Sequence, residues 1–331
     1  MTASSDALSR LLALYPVRTV LDIHCHFGAP WRLEEQPAAA GVARYHMILS
    51  GTALLDAAGQ QGTALQPGDI VFFPHGSAHT LHTAGRGKQA LPQDAPRHEE
   101  DFLIRKQTAN VDSGTKPHTD ILCGQFHFAA ETASALLRSL PPVMLVRTAG
   151  RADFAGLGTL MSMLSIETET PRPGAHAVTT QLSSALFALL MRAWLDQEEA
   201  RKVPGLFALL ASPRLQRALQ CMLSEPGRAW SLEELADACH LSRTTFARLF
   251  RATAGATPGE VLTRTRMAQA GYLLADRQHS VADVAEAVGY QSEASFNRVF
   301  KRHFHIGPGQ YRREARKAVN ANLNTKAGIN A

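Results

Sequence analysis

SLEELADACHLSRTTFARLFRATAGATPGEVL spans residues 231–262, and SVADVAEAVGYQSEASFNRVFKRHFHIGPGQYR spans residues 280–312. With one residue inserted after Tyr290, the two share Ser231/Ser280, Ala236/Ala285, Ala238/Ala287, Ser242/Ser292, Phe246/Phe296, Arg248/Arg298, Phe250/Phe300, Pro258/Pro308 and Gly259/Gly309. A repeat of this kind marks one supersecondary unit used twice. Each copy reads as helix, turn, helix. Ser231 and Ser280 are N-cap residues; Glu234 completes a capping box, and Asp283 holds the matching position. Leu235, Ala236 and Cys239, then Val284, Ala285 and Val288, recur at helical spacing and face a core. The turns fall at His240-Leu241 and Gly289-Tyr290, where Gly adopts a positive φ freely and His is enriched among the alternatives. Ser242 and Ser292 cap a second helix. Its inner face carries Phe246, Leu249 and Phe250, or Phe296, Val299 and Phe300. Its outer face carries Arg243, Thr244, Ala247, Arg248 and Arg251, or Glu293, Ala294, Asn297, Arg298 and Lys301.

A charged outer face, taken alone, is an ordinary solvated helix surface. Repetition changes the reading. Both second helices carry Arg at the matched position, in company with Thr or Asn. Arg pairs bidentately with guanine, Asn with adenine, and a Thr methyl packs on the thymine methyl. Residues 263–278, TRTRMAQAGYLLADRQ, read as a helix joining the units. About 15 residues at about 1.5 Å each hold them roughly 20–25 Å apart. With their own widths added, the second helices reach successive major-groove faces, about 34 Å apart on one side of B-DNA. Charge agrees: residues 213–318 carry 16 Lys and Arg against 10 Asp and Glu, whereas residues 1–212 carry 17 against 19. A basic block segregated at one end of the chain fits a polyanion partner, with nucleic acid first.

In order and spacing, residues 213–313 resemble the DNA-binding domain of AraC-type transcriptional regulators. The likeness is carried by AWSLEELADACHLSRTTFARLFR, by Ala285 to Gly289-Tyr290, by SFNRVFKRHF and by the closing GPGQYRR. It implies two helix-turn-helix subdomains on one linking helix, each laying its second helix in the major groove. The DNA contacts it implies are Arg243, Thr244, Thr245, Ala247, Arg248 and Arg251, then Glu293, Ala294, Asn297, Arg298 and Lys301. Double-stranded promoter DNA is the implied partner, with RNA polymerase beside it. Gly307-Pro308-Gly309-Gln310-Tyr311 stands where the family usually has Thr-Pro-x-x-Tyr; Tyr311 is expected to pack the end of the domain.

Upstream the pattern changes. Residues 40–83 hold short apolar runs divided by turn signals, the mark of an all-β region with hairpins. The spacing Gly68-x5-Pro74-x-Gly76-x2-His79 resembles the second motif of the cupin jelly roll. In metal-binding cupins His79 would be a ligand, beside an HxH and a Glu from a first motif. Here Arg44 stands at the Glu position, and no HxH lies just before it. A cation in place of a carboxylate opposes metal binding, so no metal or other cofactor is expected, although His46, His75 and His79 keep donor nitrogens. Arg44, His46 and His79 are instead candidates to hold a small ligand in the barrel. Residues 84–120 read as a long mobile loop, TDILCGQFHF as a strand, and residues 176–202 as a long helix. Leu182, Ala185, Leu186, Leu189, Leu190 and Ala193 form its apolar stripe, which either covers the barrel or makes a dimer seam.

LDIHCHFGAP, residues 21–30, sets Cys25 between two histidines. In a strand Leu21, Ile23, Cys25 and Phe27 share one face, and Asp22, His24 and His26 the other. The histidines therefore do not converge with Cys25 on a metal. The four cysteines are widely spaced with no CxxC, neither a disulfide scaffold nor a zinc-finger framework. Cys221 and Cys239, in helices, read as small buried hydrophobes. Arg44-Tyr45-His46, the PGD…P…SAH stretch and the pair Cys25 and Cys123 resemble the reactive-chlorine-responsive group of cupin-containing AraC-type regulators. That resemblance implies a thiol switch through Cys25, with Cys123 as its partner. Nearby histidines or Arg44 would lower a thiol pKa.

The expected whole is an α+β multidomain protein. A cupin-like β jelly roll with flanking helices occupies residues 1–175, dimerisation and linker helices 176–212, an all-α double helix-turn-helix domain 213–313, and a flexible tail 314–331. No apolar run of about 18 residues and no secretory leader pattern occurs, so a cytoplasmic protein without membrane contact is expected; a homodimer is expected, with the stripe on 176–202 contributing to its interface. The expected function is sequence-specific regulation of transcription controlled by oxidation of Cys25. Control of the same regulator by a barrel ligand is the alternative. A cupin metalloenzyme is less favoured, because it needs a convergent catalytic set; no catalytic residue is assigned.

Overall fold

The computed structural model describes residues 6–84, 105–109, 119–128, 136–148, 150–169, 172–276 and 278–315. Most of the loop expected over 84–120 lies outside the described residues, apart from a strand at Arg105–Ala109. Of the expected tail, residues 316–331 lie outside them too. The chain divides into two compact units, one of residues 17–130 and 140–197, the other of residues 1–16, 131–139 and 198–331. This differs from a split at residues 175 and 212. The first helix, α1 (Ala7–Leu14), buries Leu11 and Leu14 within the second unit, next to the buried Tyr15. An amphipathic helix goes where its apolar stripe finds a partner, whatever its place in the chain.

The first unit is a jelly roll of two sheets. The larger runs β10 (Met144–Val146), β6 (Ile70–Phe73), β3 (Val42–Ser50), β9 (Thr119–Phe128), β1 (Val17–Phe27) and β8 (Arg105–Ala109). The smaller runs β2 (Arg32–Glu35), β7 (His79–His82), β4 (Ala53–Ala57) and β5 (Gln60–Leu65). Ile23, Cys25, Phe27, Ile48, Val71, Phe73, Ile121 and Cys123 from the first meet Leu55, Leu65 and Leu81 from the second in one core. β1 and β9 pair antiparallel, with a β-bulge between Leu21 and Ile23. The bulge inserts a residue and reverses the alternation. Leu21 pairs with Gly124 and lies in phase with Thr19, whose hydroxyl donates to the Thr180 carbonyl on the covering helix, 3.0 Å away. Leu21 is therefore not on the face of Cys25, as simple alternation would have it; Ile23, Cys25 and Phe27 are in the core.

The outer face of the large sheet is covered by α2 (Ala155–Glu169) and α3 (Ala175–Leu195). Phe187 of α3 packs against Phe72, Phe126 and Phe128, with ring centroids 5.0–6.5 Å apart. Gly124 makes room for Tyr45: a Cβ there would strike the phenol and stand 2.7 Å from the Val20 carbonyl. The helix read over 176–202 ends at Leu195, and a separate 3-10 turn follows at Glu198–Arg201. Of its expected stripe, Leu186, Leu190 and Ala193 are buried within this unit with Phe187, Met191 and Trp194, while Ala185 is exposed. The stripe covers the sheet, and its centre is not free to seal a dimer.

The second unit is ordered by its caps. Ser231 and Ser280 each accept from the amide three residues on, and Glu234 and Asp283 each accept from the cap amide. Asp283 thus completes a capping box, as Glu234 does. After α4 (Leu206–Ala211) and α5 (Gln216–Ser224) come α6 (Leu232–Ala238) and α7 (Arg243–Ala254), the first helix-turn-helix. α8 (Pro258–Ala275) leads to the second, α9 (Val281–Ala287) and α10 (Glu293–Phe304). α8 starts five residues before Thr263 because Thr257 and Glu260 form a capping box with Pro258 in the first turn. The turn residues His240 and Gly289 have φ of 54° and 81°. Arg266 of α8 donates to the carbonyls of Pro226, 2.7 Å, and Arg228, 3.0 Å. That loop lies so close to the second turn that a Cβ on Gly227 would stand 2.6 Å from the Ala287 carbonyl. The two helix-turn-helix units are thereby fixed to one another. Tyr311 packs on Phe300 and Phe304, closing the end of the domain.

Leu186 and Leu190 are wholly buried, so Leu186→Glu with Leu190→Glu should unfold the first unit by several kcal/mol rather than release folded monomers. Circular dichroism and urea titration check this; a folded double variant would contradict the packing described.

Candidate functional site

The two second helices present matching faces. Along Arg243–Arg251 and Glu293–Lys301, exposed, half-buried and buried positions fall in the same order. Phe246 and Phe250, and Phe296 and Phe300, point inward as the sequence requires. Arg243, Thr244, Arg248 and Arg251 are exposed on α7, and Glu293, Ala294, Arg298 and Lys301 on α10. Ala247 and Asn297 are half-buried at equivalent places. Among the described residues no acid forms a salt bridge with Arg248 or Arg298. Thr245 differs from the rest: its amide and hydroxyl both bond to the N-cap Ser242, at 3.3 and 2.9 Å. The result is two basic helix faces of one shape, held by a shared helix, with guanidinium groups free to meet phosphate or base edges.

The second cluster lies inside the jelly roll. Register places His46 of β3 beside Cys123 of β9, which in turn faces Ile23 of β1. Cys25 Sγ stands 4.0 Å from Cys123 Sγ. His46 Nδ1 is 3.0 Å from Cys123 Sγ, and its Nε2 is 2.7 Å from His79 Nε2. His79 Nδ1 is 2.8 Å from the Ser77 carbonyl. These contacts fix the protons. A carbonyl only accepts, so His79 Nδ1 carries a hydrogen and, in the neutral ring, Nε2 accepts. His46 Nε2 must then donate, which leaves His46 Nδ1 as the acceptor for the Cys123 S–H. Burial holds His46 well below the ordinary imidazole range, with His79 and Arg44 adding to the effect. Burial also lowers His79 to about 4, against the pull of its bond to Ser77. Both rings are thus neutral near pH 7, and His46 Nδ1 is a hydrogen-bond acceptor aimed at one thiol.

The other candidates separate from this cluster. Arg44 pairs with Glu35 at 2.8 Å and donates to the Gln36 carbonyl, so its charge is matched at the rim. His75 is exposed and bonds the Leu140 carbonyl, 3.1 Å, far from joining His46 and His79 as a ligand set. Cys221 and Cys239 are half-buried in the other unit, and burial raises the Cys239 thiol, which disfavours its thiolate. The sequence pointed to Cys123 and to His46 separately. Their contact depends on strand register, which no local pattern carries.

The Cupin family model matches residues 6–196, and the Helix-turn-helix domain model residues 235–314. The chain is 32% identical to the RCS-specific HTH-type transcriptional activator RclR of Escherichia coli (strain K12), over 94% of this chain and 99% of that protein. It is 29% identical to the HTH-type transcriptional regulator MtrA of Neisseria gonorrhoeae, over 93% and 98% respectively. A solved DNA-binding domain of AdpA in complex with a target DNA is 31% identical over 32% of this chain and 96% of that one, with a TM-score of 0.31.

The neutral buried imidazoles make the first unit acid-labile. Between pH 6.5 and about 4 the unfolded chain binds a proton at residue 79 that the folded chain refuses. Stability is therefore lost as pH falls through that window, by about 3 kcal/mol at its acid end from His79 alone. His79→Asn should flatten the dependence of the urea midpoint on pH; an unchanged slope would contradict the assignment. On the helix faces, Arg248→Ala and Arg298→Ala should each weaken specific DNA binding by about 1–3 kcal/mol, as loss of a bidentate base contact does. Titration of promoter DNA by fluorescence anisotropy checks this, and variants that bind like the parent would remove these residues from the reading face.

Proposed function

The chain belongs to the AraC-type transcriptional regulators that carry an N-terminal cupin domain, and from that premise we propose that oxidation of the Cys25–Cys123 pair controls how this DNA-binding regulator acts at promoters. One observation carries the reading: the two buried sulfurs stand 4.0 Å apart, with an imidazole base 3.0 Å from one of them. The Cys123 sulfur attacks the chlorine of hypochlorous acid while its proton is handed through His46 Nδ1 to the departing hydroxide, so that a sulfenyl chloride and water form and His46 is neutral again. The Cys25 thiol then displaces chloride, giving a disulfide, and its proton passes to His46 Nδ1. Closing the sulfurs to about 2.05 Å moves strands in a packed core, which does not deform smoothly. β1 begins at Val17, with Tyr15 and Pro16 between it and the end of α1, and α1 belongs to the DNA-binding unit. The shift is passed along that connection. Reducing cytoplasm suits a transient disulfide of this kind. The jelly roll acts as a sensor and not as an enzyme, since Arg44 stands where a metal-binding carboxylate would.

A homodimer is part of this reading. Met163 and Ile166 on α2, and Val178 on α3, are large apolar side chains left 46%, 55% and 41% exposed. A solvent-facing apolar group of this kind favours association. Met163→Glu with Ile166→Glu should give folded monomers where the parent scatters light as a dimer at micromolar concentration; a monomeric parent would end the idea.

The switch predicts a pattern among variants, read as transcript from the cognate promoter with purified RNA polymerase. Oxidation should change the output of the parent. Cys25→Ser should bind DNA yet show no response, and its Cys123 should stop at a sulfenic acid. His46→Asn should slow disulfide formation at least tenfold. Cys221→Ser should respond normally. A full response from Cys25→Ser would instead favour a small ligand in the barrel as the signal.

A further inference from the structure

The outer side of the same two strands carries a second cluster, in which the histidines that flank Cys25 take part. His24 and His26 lie two apart on β1, and Asp120 of β9 stands directly across from His26. His24 Nε2 is 2.6 Å and His26 Nδ1 3.4 Å from Asp120 Oδ1. One ligand atom from each of the three lies within 4.8 Å of the other two. The His24 side chain is wholly buried, while His26 and Asp120 keep 20% and 16% of their surface. Thr168 of α2 approaches His24 Nδ1 at 2.9 Å, and its hydroxyl donates to the Ser165 carbonyl at 2.7 Å.

The proton order matters here too. The Thr168 hydroxyl has one hydrogen. Donated to Ser165, it leaves the Thr168 oxygen to accept from His24 Nδ1–H. His24 Nε2 then faces the carboxylate as the N–H of an imidazolium or, in the neutral ring, as a lone pair that a metal cation shared with Asp120 would take up. A tetrahedral zinc ion with bonds of about 2.0–2.1 Å spaces its ligand atoms about 3.3–3.4 Å apart. His26 and Asp120 already stand at that spacing, and His24 reaches it by a small opening of its contact. We propose that His24, His26 and Asp120 bind a divalent transition-metal cation of the zinc class, with Thr168 orienting His24 and a fourth position open to solvent. Two imidazole donors select this class over magnesium and calcium, which prefer oxygen. A metal-ligating histidine usually donates its far N–H to a carboxylate, a backbone carbonyl or water, and here the Thr168 oxygen takes that place. The three ligands face away from Cys25, His46 and His79, so the site is distinct from the interior cluster. A metal there ties β1 to β9 at the level of the thiols.

Cobalt(II) titration of chelator-treated, reduced full-length protein tests this. The expected result is one ion per chain, displaced by zinc, with d–d bands but no sulfur-to-cobalt charge-transfer band. His26→Gln, which keeps the His24–Asp120 contact and so the fold, should weaken binding at least tenfold. Thr168→Val should weaken it 10- to 100-fold, with an unchanged circular dichroism spectrum. No binding would overturn the proposal. So would a thiolate charge-transfer band that persists in His26→Gln and vanishes when Cys25 and Cys123 are both changed to Ser, because it would place the ion inside the barrel.

Discussion

The antiparallel pairing of β1 with β9 is the constraint on which the jelly-roll unit depends. It runs from Val17 opposite Phe128 to Phe27 opposite Thr119, inside the six-stranded sheet with β3 on one side and β8 on the other. Side chains alternate along each strand, so one ribbon presents two chemistries. Inward, Cys25 and Cys123 meet His46 and His79. Outward, His24, His26 and Asp120 meet Thr168. The bulge between Leu21 and Ile23 sets the phase that separates them. A shift of one residue would exchange the two faces, placing imidazoles in the core and thiols beneath the helices. Register is therefore the feature that makes a thiol pair out of two cysteines 98 residues apart.

Low dielectric and neutral rings explain why the thiol pair has a direction. A carbonyl that can only accept, at Ser77, orders each successive proton back to Cys123. Cys25 stands 4.0 Å from that thiol, and in the proposed switch it closes the bond. The DNA-binding unit obeys a different constraint. Apart from α8 its helices are short, and short helices are marginal in water by themselves. Caps at Ser231, Ser242, Thr257, Ser280 and Ser292 set where each begins, and Arg266 with the Gly227–Gly289 approach sets how the two copies sit. Two second helices held this way keep a fixed spacing, so little ordering entropy is lost when the pair meets a partner.

The helix-turn-helix units were legible because their signals are local. Cap, turn and inward aromatic recur within 25 residues, and His240 and Gly289 take the positive φ that the turn demands. The start of α8 was misplaced because its capping box, Thr257 to Glu260, sat inside what read as the tail of the first repeat. The jelly roll was legible as a class but not in its pairings. The bulge moved Leu21 off the face of Cys25, and the stripe on α3 was absorbed by the sheet through Phe187, Leu186 and Leu190. α1 joined the DNA-binding unit, a choice made by tertiary contacts that periodicity does not encode. The candidate site was half visible. Cys25, Cys123, His46 and His79 each stood out, whereas their convergence, and that of His24 and His26 on Asp120, required cross-strand neighbours.

The central claim is that two buried sulfurs, one of them next to a base, form the switch. Its most direct test is thiol mapping by mass spectrometry, after reduced full-length protein meets one equivalent of hypochlorous acid. The account predicts a single Cys25–Cys123 disulfide, with Cys221 and Cys239 still reduced. Modification of Cys221 or Cys239 first, with Cys25 and Cys123 left as free thiols, would contradict it.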